Sequence, residues 1–158
     1  MKFHYFMILF YLCFFDATIE ATAQTEEPQP EFYKNSLQGS LGFAGLFAAA
    51  TSNYERIISL PQGKWITATY LRFGIGAYGV WGGKGNFTYL QYGVFTGKKA
   101  NHFEISAGPN IGFKEVDSEI PVISFSTGYR LQKPGKHFML RTGVGLPESI
   151  YFGLGWSF

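Results

Sequence analysis

The sequence predicts an all-β chain that closes into an eight-stranded antiparallel transmembrane up-and-down β-barrel. Three observations predict it. Large apolar residues alternate with small or polar ones through most of the chain after Asn35, breaks of turn chemistry separate the alternating segments, and the face opposite the greasy one carries glycines and charges. The composition agrees, with 17 Phe, 10 Tyr, 3 Trp and 20 Gly beside only 15% charged residues in 158. Mean hydropathy is nevertheless near zero, because strand alternation hides hydrophobicity from a window average.

Residues 1–23 are expected to be a signal peptide. Lys2 supplies the positive start, Phe3 to Phe15 is almost wholly apolar, and Ala21-Thr22-Ala23 is an A-x-A cleavage pattern that makes Gln24 the first mature residue. The apolar run stops at Asp16, shorter than the roughly 18 to 20 residues a spanning helix needs. Cleavage would remove Cys13, the single cysteine, and with it disulfides, thiolate metal sites and thiol nucleophiles. Residues 24–34, with Glu26, Glu27, Pro28, Pro30 and Glu31, read as a disordered periplasmic lead-in. Removing Lys2, Asp16 and Glu20 leaves 12 basic and 9 acidic residues, a mature charge of +3. That balance is too mild and scattered for nucleic-acid binding.

Residues 35–158 form the expected barrel domain. The first hairpin is expected to turn near Ala48 to Ser52, although Leu41 to Ile58 has enough alanine and leucine to resemble a helix. Within Ile66 to Val80, Leu71, Phe73, Ile75 and Ala77 oppose Tyr70, Arg72, Gly74, Gly76 and Tyr78. Phe103, Ile105, Ala107, Ile111 and Phe113 oppose Glu104, Ser106, Gly108, Asn110 and Gly112; Ile123, Phe125, Thr127, Tyr129 and Leu131 oppose Val122, Ser124, Ser126, Gly128 and Arg130. Phe138, Leu140, Thr142, Val144 and Leu146 oppose His137, Met139, Arg141, Gly143 and Gly145, and Ile150, Phe152, Leu154, Trp156 and Phe158 oppose Tyr151, Gly153, Gly155 and Ser157. Turns fall at Pro61 to Lys64, Gly82 to Gly85, Gly97 to Asn101, Lys114 to Glu119, Gln132 to Lys136 and Pro147 to Ser149.

A soluble barrel would point the large apolar set inward, leaving glycine and arginine outside it. The reverse arrangement lets lipid cover the greasy face and gathers charge in a narrow lumen. Closure follows, because an open sheet edge in hydrocarbon leaves backbone groups unpaired at several kcal/mol each. An even strand count puts both termini on one side, read as the periplasm of a bacterium with an outer membrane. Lys64, Lys98, Lys99, Lys133 and Lys136 then lie on the periplasmic side, and Glu115, Asp117, Glu119 and Glu148 outside.

The terminal Trp156-Ser157-Phe158 resembles the assembly signal of outer-membrane barrels, with Trp156 and Phe158 as the signal residues. Asn53-Tyr54-Glu55-Arg56, Thr96-Gly97-Lys98-Lys99 with His102-Phe103-Glu104, and Gly128-Tyr129-Arg130-Leu131-Gln132-Lys133-Pro134 resemble the small, largely uncharacterised outer-membrane barrel proteins common in Bacteroidetes. This resemblance spans roughly Leu37 to Phe158. It implies insertion by the barrel-assembly machinery and contact with outer-membrane lipids, and it carries no activity.

Glu55, Arg72, Glu104, Arg130 and Arg141 are the expected lumen charge network. Its leading reading is a structural plug within a structural or interaction protein, with Tyr70, Tyr78, Tyr89 and Phe95 filling the remaining space. The alternative is a narrow porin-like channel for small solutes, preferring anions because three arginines face two glutamates. An acyl hydrolase using His102, Glu104 and Ser106 is the third reading, disfavoured because that face points away from lipid; no enzyme activity is expected. Gly74-Ile75-Gly76-Ala77-Tyr78-Gly79 matches G-x-G-x-x-G, but no helix follows to receive a pyrophosphate. Neither a cofactor nor a metal is expected.

Overall fold

The computed structural model describes residues 32–61, 65–97, 99–113 and 122–158. The expected signal segment with its cleavage site, the lead-in through residue 31, Lys64, Lys98 and the Lys114 to Glu119 turn lie outside the described residues. Eight strands, β1 (Asn35–Ala44), β2 (Phe47–Ser59), β3 (Ile66–Val80), β4 (Gly83–Thr96), β5 (Asn101–Phe113), β6 (Ile123–Gln132), β7 (Phe138–Leu146) and β8 (Ser149–Ser157), follow one another round a closed antiparallel barrel. β8 closes on β1 from Ser36↔Ser157 to Phe43↔Ile150. Among the described residues no helix is long and apolar enough to cross a membrane, which says nothing of crossing by strands.

The strand registers fix the slope of the wall. A line of register partners starting at Gln38 passes through Asn53, Gly74, Tyr89 and Asn110, and extending the same registers through β6, β7 and β8 returns it to β1 at the level of residue 48. The circuit from 38 to 48 is a stagger of ten residues. With strands about 4.8 Å apart and about 3.3 Å of rise per residue, that stagger tilts the strands by roughly 40°. At this tilt the nine residues of β7 and of β8 climb about 22 Å along the axis, and the fifteen of β3 about 37 Å. The shorter side of the wall is thus close to the ~25 Å apolar band of a membrane barrel.

The first hairpin corrects the expected turn. β1 and β2 meet at Gly45-Leu46, and Ala48 to Ser52 continue as strand, each paired with β1 and β3. Gly45 has φ +62°, a left-handed conformation that glycine adopts without steric cost, so the two-residue turn forms there. The alternation then runs unbroken through the alanines, with Ala49, Thr51 and Asn53 inward and Ala48, Ala50 and Ser52 outward. Helical propensity is overridden because the sheet gives every residue of this segment two neighbouring strands.

The two faces of the wall have inverted polarity. Among the described residues, 19 buried side chains are polar or charged against 11 hydrophobic ones, while 28 large hydrophobics are exposed. A water-soluble domain rarely exposes large contiguous apolar area and does not place its ionic groups at the centre. The outward residues include Leu41, Phe43, Phe73, Ile75, Ile105, Phe152 and Leu154. Aromatics mark both margins of this band: Trp65, Phe103, Tyr129 and Trp156 towards the chain termini, and Phe43 and Trp81 at the opposite end. Val122, grouped by alternation with the inward set, precedes β6 and is 78% exposed, because the alternating pattern constrains a residue only inside the strand.

Candidate functional site in the barrel lumen

The five charged residues expected in the lumen are all buried and converge on one ionic layer. They come from β2, β3, β5, β6 and β7 and are neighbours because the registers pair Glu55 with Arg72 and Arg130 with Arg141. Arg72 donates to Glu55 Oε2 from both Nε (3.1 Å) and Nη2 (2.8 Å), and from Nη2 to Glu104 Oε2 at 3.4 Å. Arg141 donates to Glu104 Oε1 from Nε at 2.6 Å and also from Nη2. Arg130 binds both carboxylates, Glu55 through Nη2 and Glu104 through Nη1 at 3.4 Å. Each guanidinium therefore meets a charged acceptor, and the carboxylates are shared, which offsets the large cost of removing five charges from water.

Neutral side chains add further hydrogen bonds to the layer. Gln38 donates to Glu55 at 3.2 Å and accepts from Arg141 Nη1 at 2.9 Å. Gln132 accepts from Arg130 Nε at 2.8 Å and donates to Ser157 at 3.0 Å. Arg72 Nη1 reaches Gln91, Ser106 and Ser126 at 3.3 to 3.4 Å. Of the aromatic residues expected to fill the lumen, Tyr70 and Phe95 also hold the cations: Arg72 and Arg130 lie 4.7 and 5.4 Å from the Tyr70 ring and Arg130 lies 4.5 Å from Phe95, while Arg141 lies 5.2 Å from the Tyr151 ring.

The inward glycines make room for these rings. A Cβ at Gly74 would strike Tyr89, one at Gly76 would strike Phe87, and one at Gly93 would strike Tyr70. Aromatic rings thus lie across glycines of the neighbouring strand, on the inner face of the wall. This is the structural role of Gly74 and Gly76 in the G-x-G-x-x-G segment, which sits wholly within β3.

Two residues that the sequence did not assign to the lumen are buried near its ends. At the terminus end Phe32, read as lead-in, is only 5% exposed and packs with Ile57, Ala68, Tyr70 and Phe95. Its ring makes edge contacts with Phe95 and His102, both at 5.6 Å. Tyr33 stacks on His137 at 4.5 Å, and His137 stacks on Trp156 at 4.8 Å, so the segment before β1 is pinned to the last strand. At the opposite end Glu148, expected in an external loop, is 5% exposed and accepts from Ser40 Oγ at 2.6 Å and from Thr51 Oγ1. Gly42 permits this approach, since a Cβ there would collide with the Glu148 carbonyl. Ser149 completes the turn at φ +65°, a conformation uncommon outside glycine.

Glu148 also corrects the charge count. Three arginines face three glutamates among the described lumen residues, so the charge imbalance behind an anion preference disappears. The hydrolase set does not assemble as a triad either. His102 Nδ1 lies 2.8 Å from the Thr96 carbonyl and Nε2 lies 3.0 Å from the Gln132 carbonyl, while Ser106 hydrogen-bonds Ser126 and Gln91. With both ring nitrogens on carbonyls, His102 has no nitrogen directed at Ser106 to take its proton. Among the described residues no group of three or more His, Cys, Asp and Glu side chains could hold a metal ion.

The two residues read as an assembly signal lie on the outer face of the closing strand and just beyond it. Trp156 pairs with Leu37 and Phe138, and Phe158 exchanges backbone hydrogen bonds with Asn35. Both side chains are exposed. The class defined by the fold and its interior is a closed eight-stranded antiparallel β-barrel with a filled, ionic lumen. No protein-family model, curated protein or solved structure matches the chain significantly.

Proposed function

We propose that this protein is a bacterial outer-membrane barrel with a structural or interaction role, both termini in the periplasm, and a lumen that does not conduct. The observation that carries the reading is the inverted polarity of the wall: an ionic core wrapped in exposed apolar side chains is stable where lipid, not water, surrounds it. The closed strand order supports it, since every strand has partners on both sides. Filling of the lumen by Arg72, Arg130, Tyr70 and Phe95, with Phe32 and Glu148 at its ends, supports an interior used for stability. Functional contacts then fall to the outer surface and the turns.

Planar-bilayer recording of the purified mature protein tests the lumen. The expected result is an unchanged baseline, and sustained stepwise currents would replace the structural reading with a channel. Fractionation tests the location: the mature chain should begin at Gln24 and sediment with outer membrane, whereas a soluble uncleaved chain would sink the export reading.

The carboxy-terminal residue supplies a further prediction. Phe158 is 50% exposed and bonds β1 through its backbone, so its side chain presents a free face to the assembly machinery. Deleting it should lower the membrane-inserted yield while leaving export across the inner membrane intact. Pulse-labelled cells fractionated for inserted and periplasmic protein give the readout, and equal insertion would remove Phe158 from the assembly signal.

A further inference from the structure

We propose that the terminus end of the barrel carries a binding ring for anionic lipid headgroups, in which Arg56, Lys99, Lys133, Lys136 and Lys34 hold the phosphates of the adjoining leaflet. The inference rests on the membrane reading and names a partner for its outer surface. Among the described residues the exterior is cationic: Lys34, Arg56, Lys84, Lys99, Lys133 and Lys136 are exposed, whereas Glu55, Glu104 and Glu148 are buried. Five of those six cations lie at one end of the barrel. None of the five forms an ion pair with another described residue.

Their neighbours place them at the membrane margin. Arg56 lies on β2 three residues before its end, facing outward, and Tyr54 beside it on the same face donates to Asn35 at 2.8 Å. Lys99 precedes Asn101, which accepts from Tyr129 at 2.7 Å. Lys136 adjoins His137, which stacks on Trp156, and Lys34 adjoins Tyr33, which stacks on the other face of His137. Cations alternating with Tyr and Trp form the side-chain pattern of a headgroup layer, where the rings lie at the interface and the charges meet phosphate.

Arg56 separates a lipid from a water-borne partner. Its guanidinium stands on the lipid-facing wall, below the β2–β3 connection, at the level of the exposed aromatics. A polymer in the aqueous space meets the turns first, whereas a lipid in the annulus lies directly against this wall. A planar guanidinium on such a wall can take a phosphate through two parallel hydrogen bonds, and an ion in that position without a counter-charge is costly.

The test uses the full mature chain in vesicles of neutral phosphatidylcholine containing a minor fraction of phosphatidylglycerol. Lipids retained by the protein after gentle extraction are quantified by mass spectrometry, and insertion is scored separately by protection from protease. Retained lipid should be enriched in phosphatidylglycerol, and the enrichment should fall in high salt. Each of Arg56→Gln, Lys133→Gln and Lys136→Gln should lower it up to about fivefold, the equivalent of ~1 kcal/mol for a basic side chain near an anionic surface.

Normal insertion without phosphatidylglycerol enrichment overturns the headgroup ring and leaves the membrane reading standing. Failure to insert in any vesicle overturns the membrane reading itself. Complete displacement of the lipid by inorganic phosphate would identify a site for the free anion, and enrichment arising only after Glu26, Glu27 and Glu31 are replaced by glutamine would assign the ring to the chain's own lead-in. Either result overturns the proposal.

Discussion

Replacing Glu104 with leucine is expected to destabilise the barrel by about 3–5 kcal/mol, the cost of leaving buried charge without its partner. Glu104 is fully buried and accepts from Arg141, Arg72 and Arg130 as well as from Tyr151 at 3.2 Å. Its removal leaves Arg72 and Arg130 sharing Glu55 and Arg141 without a carboxylate partner. Reversible urea unfolding from lipid vesicles measures the loss, and Glu104→Leu combined with Arg141→Leu should recover part of it because one excess cation leaves with the anion. A loss below about 1 kcal/mol for Glu104→Leu would show that the ionic layer is solvated and that the lumen is wetter than its packing implies. Glu148→Ala provides the contrast. Ser40 and Thr51 lie 2.5 Å apart and can satisfy each other, so the expected cost is only about 1 kcal/mol.

The same physics explains what the sequence could and could not disclose. Period-two alternation exposes a residue's face, and Glu55, Arg72, Glu104, Arg130 and Arg141 each sit in mid-strand, where alternation leaves no choice of side. The strand count follows from the turns, and the β1–β8 pair closes the edge that eight strands would otherwise leave open. Glu148 was illegible because it belongs to a turn, where alternation stops. Its inward path depends on the missing Cβ of Gly42 and the left-handed Ser149, which are far apart in sequence. Phe32 was masked by the proline- and glutamate-rich stretch before it, although an aromatic pair immediately preceding the first strand was the available signal. The β1–β2 turn was misplaced for a different reason. Ala48 to Ala50 lack the bulk that marks an outward apolar face, whereas Gly45 is suited to the positive φ of a tight turn.

Orientation of the two faces is decided by a pair of substitutions with opposite consequences inside and outside a membrane. Phe152 is 50% exposed on the outer face of β8, paired with Leu41 and Thr142 near the middle of its strand. In lipid vesicles Phe152→Arg should cost about 2–4 kcal/mol if this position lies near the midplane, since the charge has no partner in hydrocarbon. In a soluble barrel the same exposed arginine would be hydrated and nearly neutral in effect. Arg141 points the other way, into the lumen, where Nη1 binds Gln38 and Nε binds Glu104. Arg141→Leu should therefore also destabilise, because Glu104 keeps only its two longer arginine contacts and Gln38 loses a donor. Were Arg141 on the lipid side, leucine there would stabilise. The two unfolding midpoints, measured in the same vesicles, are expected to fall together. A neutral Phe152→Arg beside a destabilising Arg141→Leu would mean that the apolar outer face meets water rather than hydrocarbon, and the membrane reading would have to be abandoned.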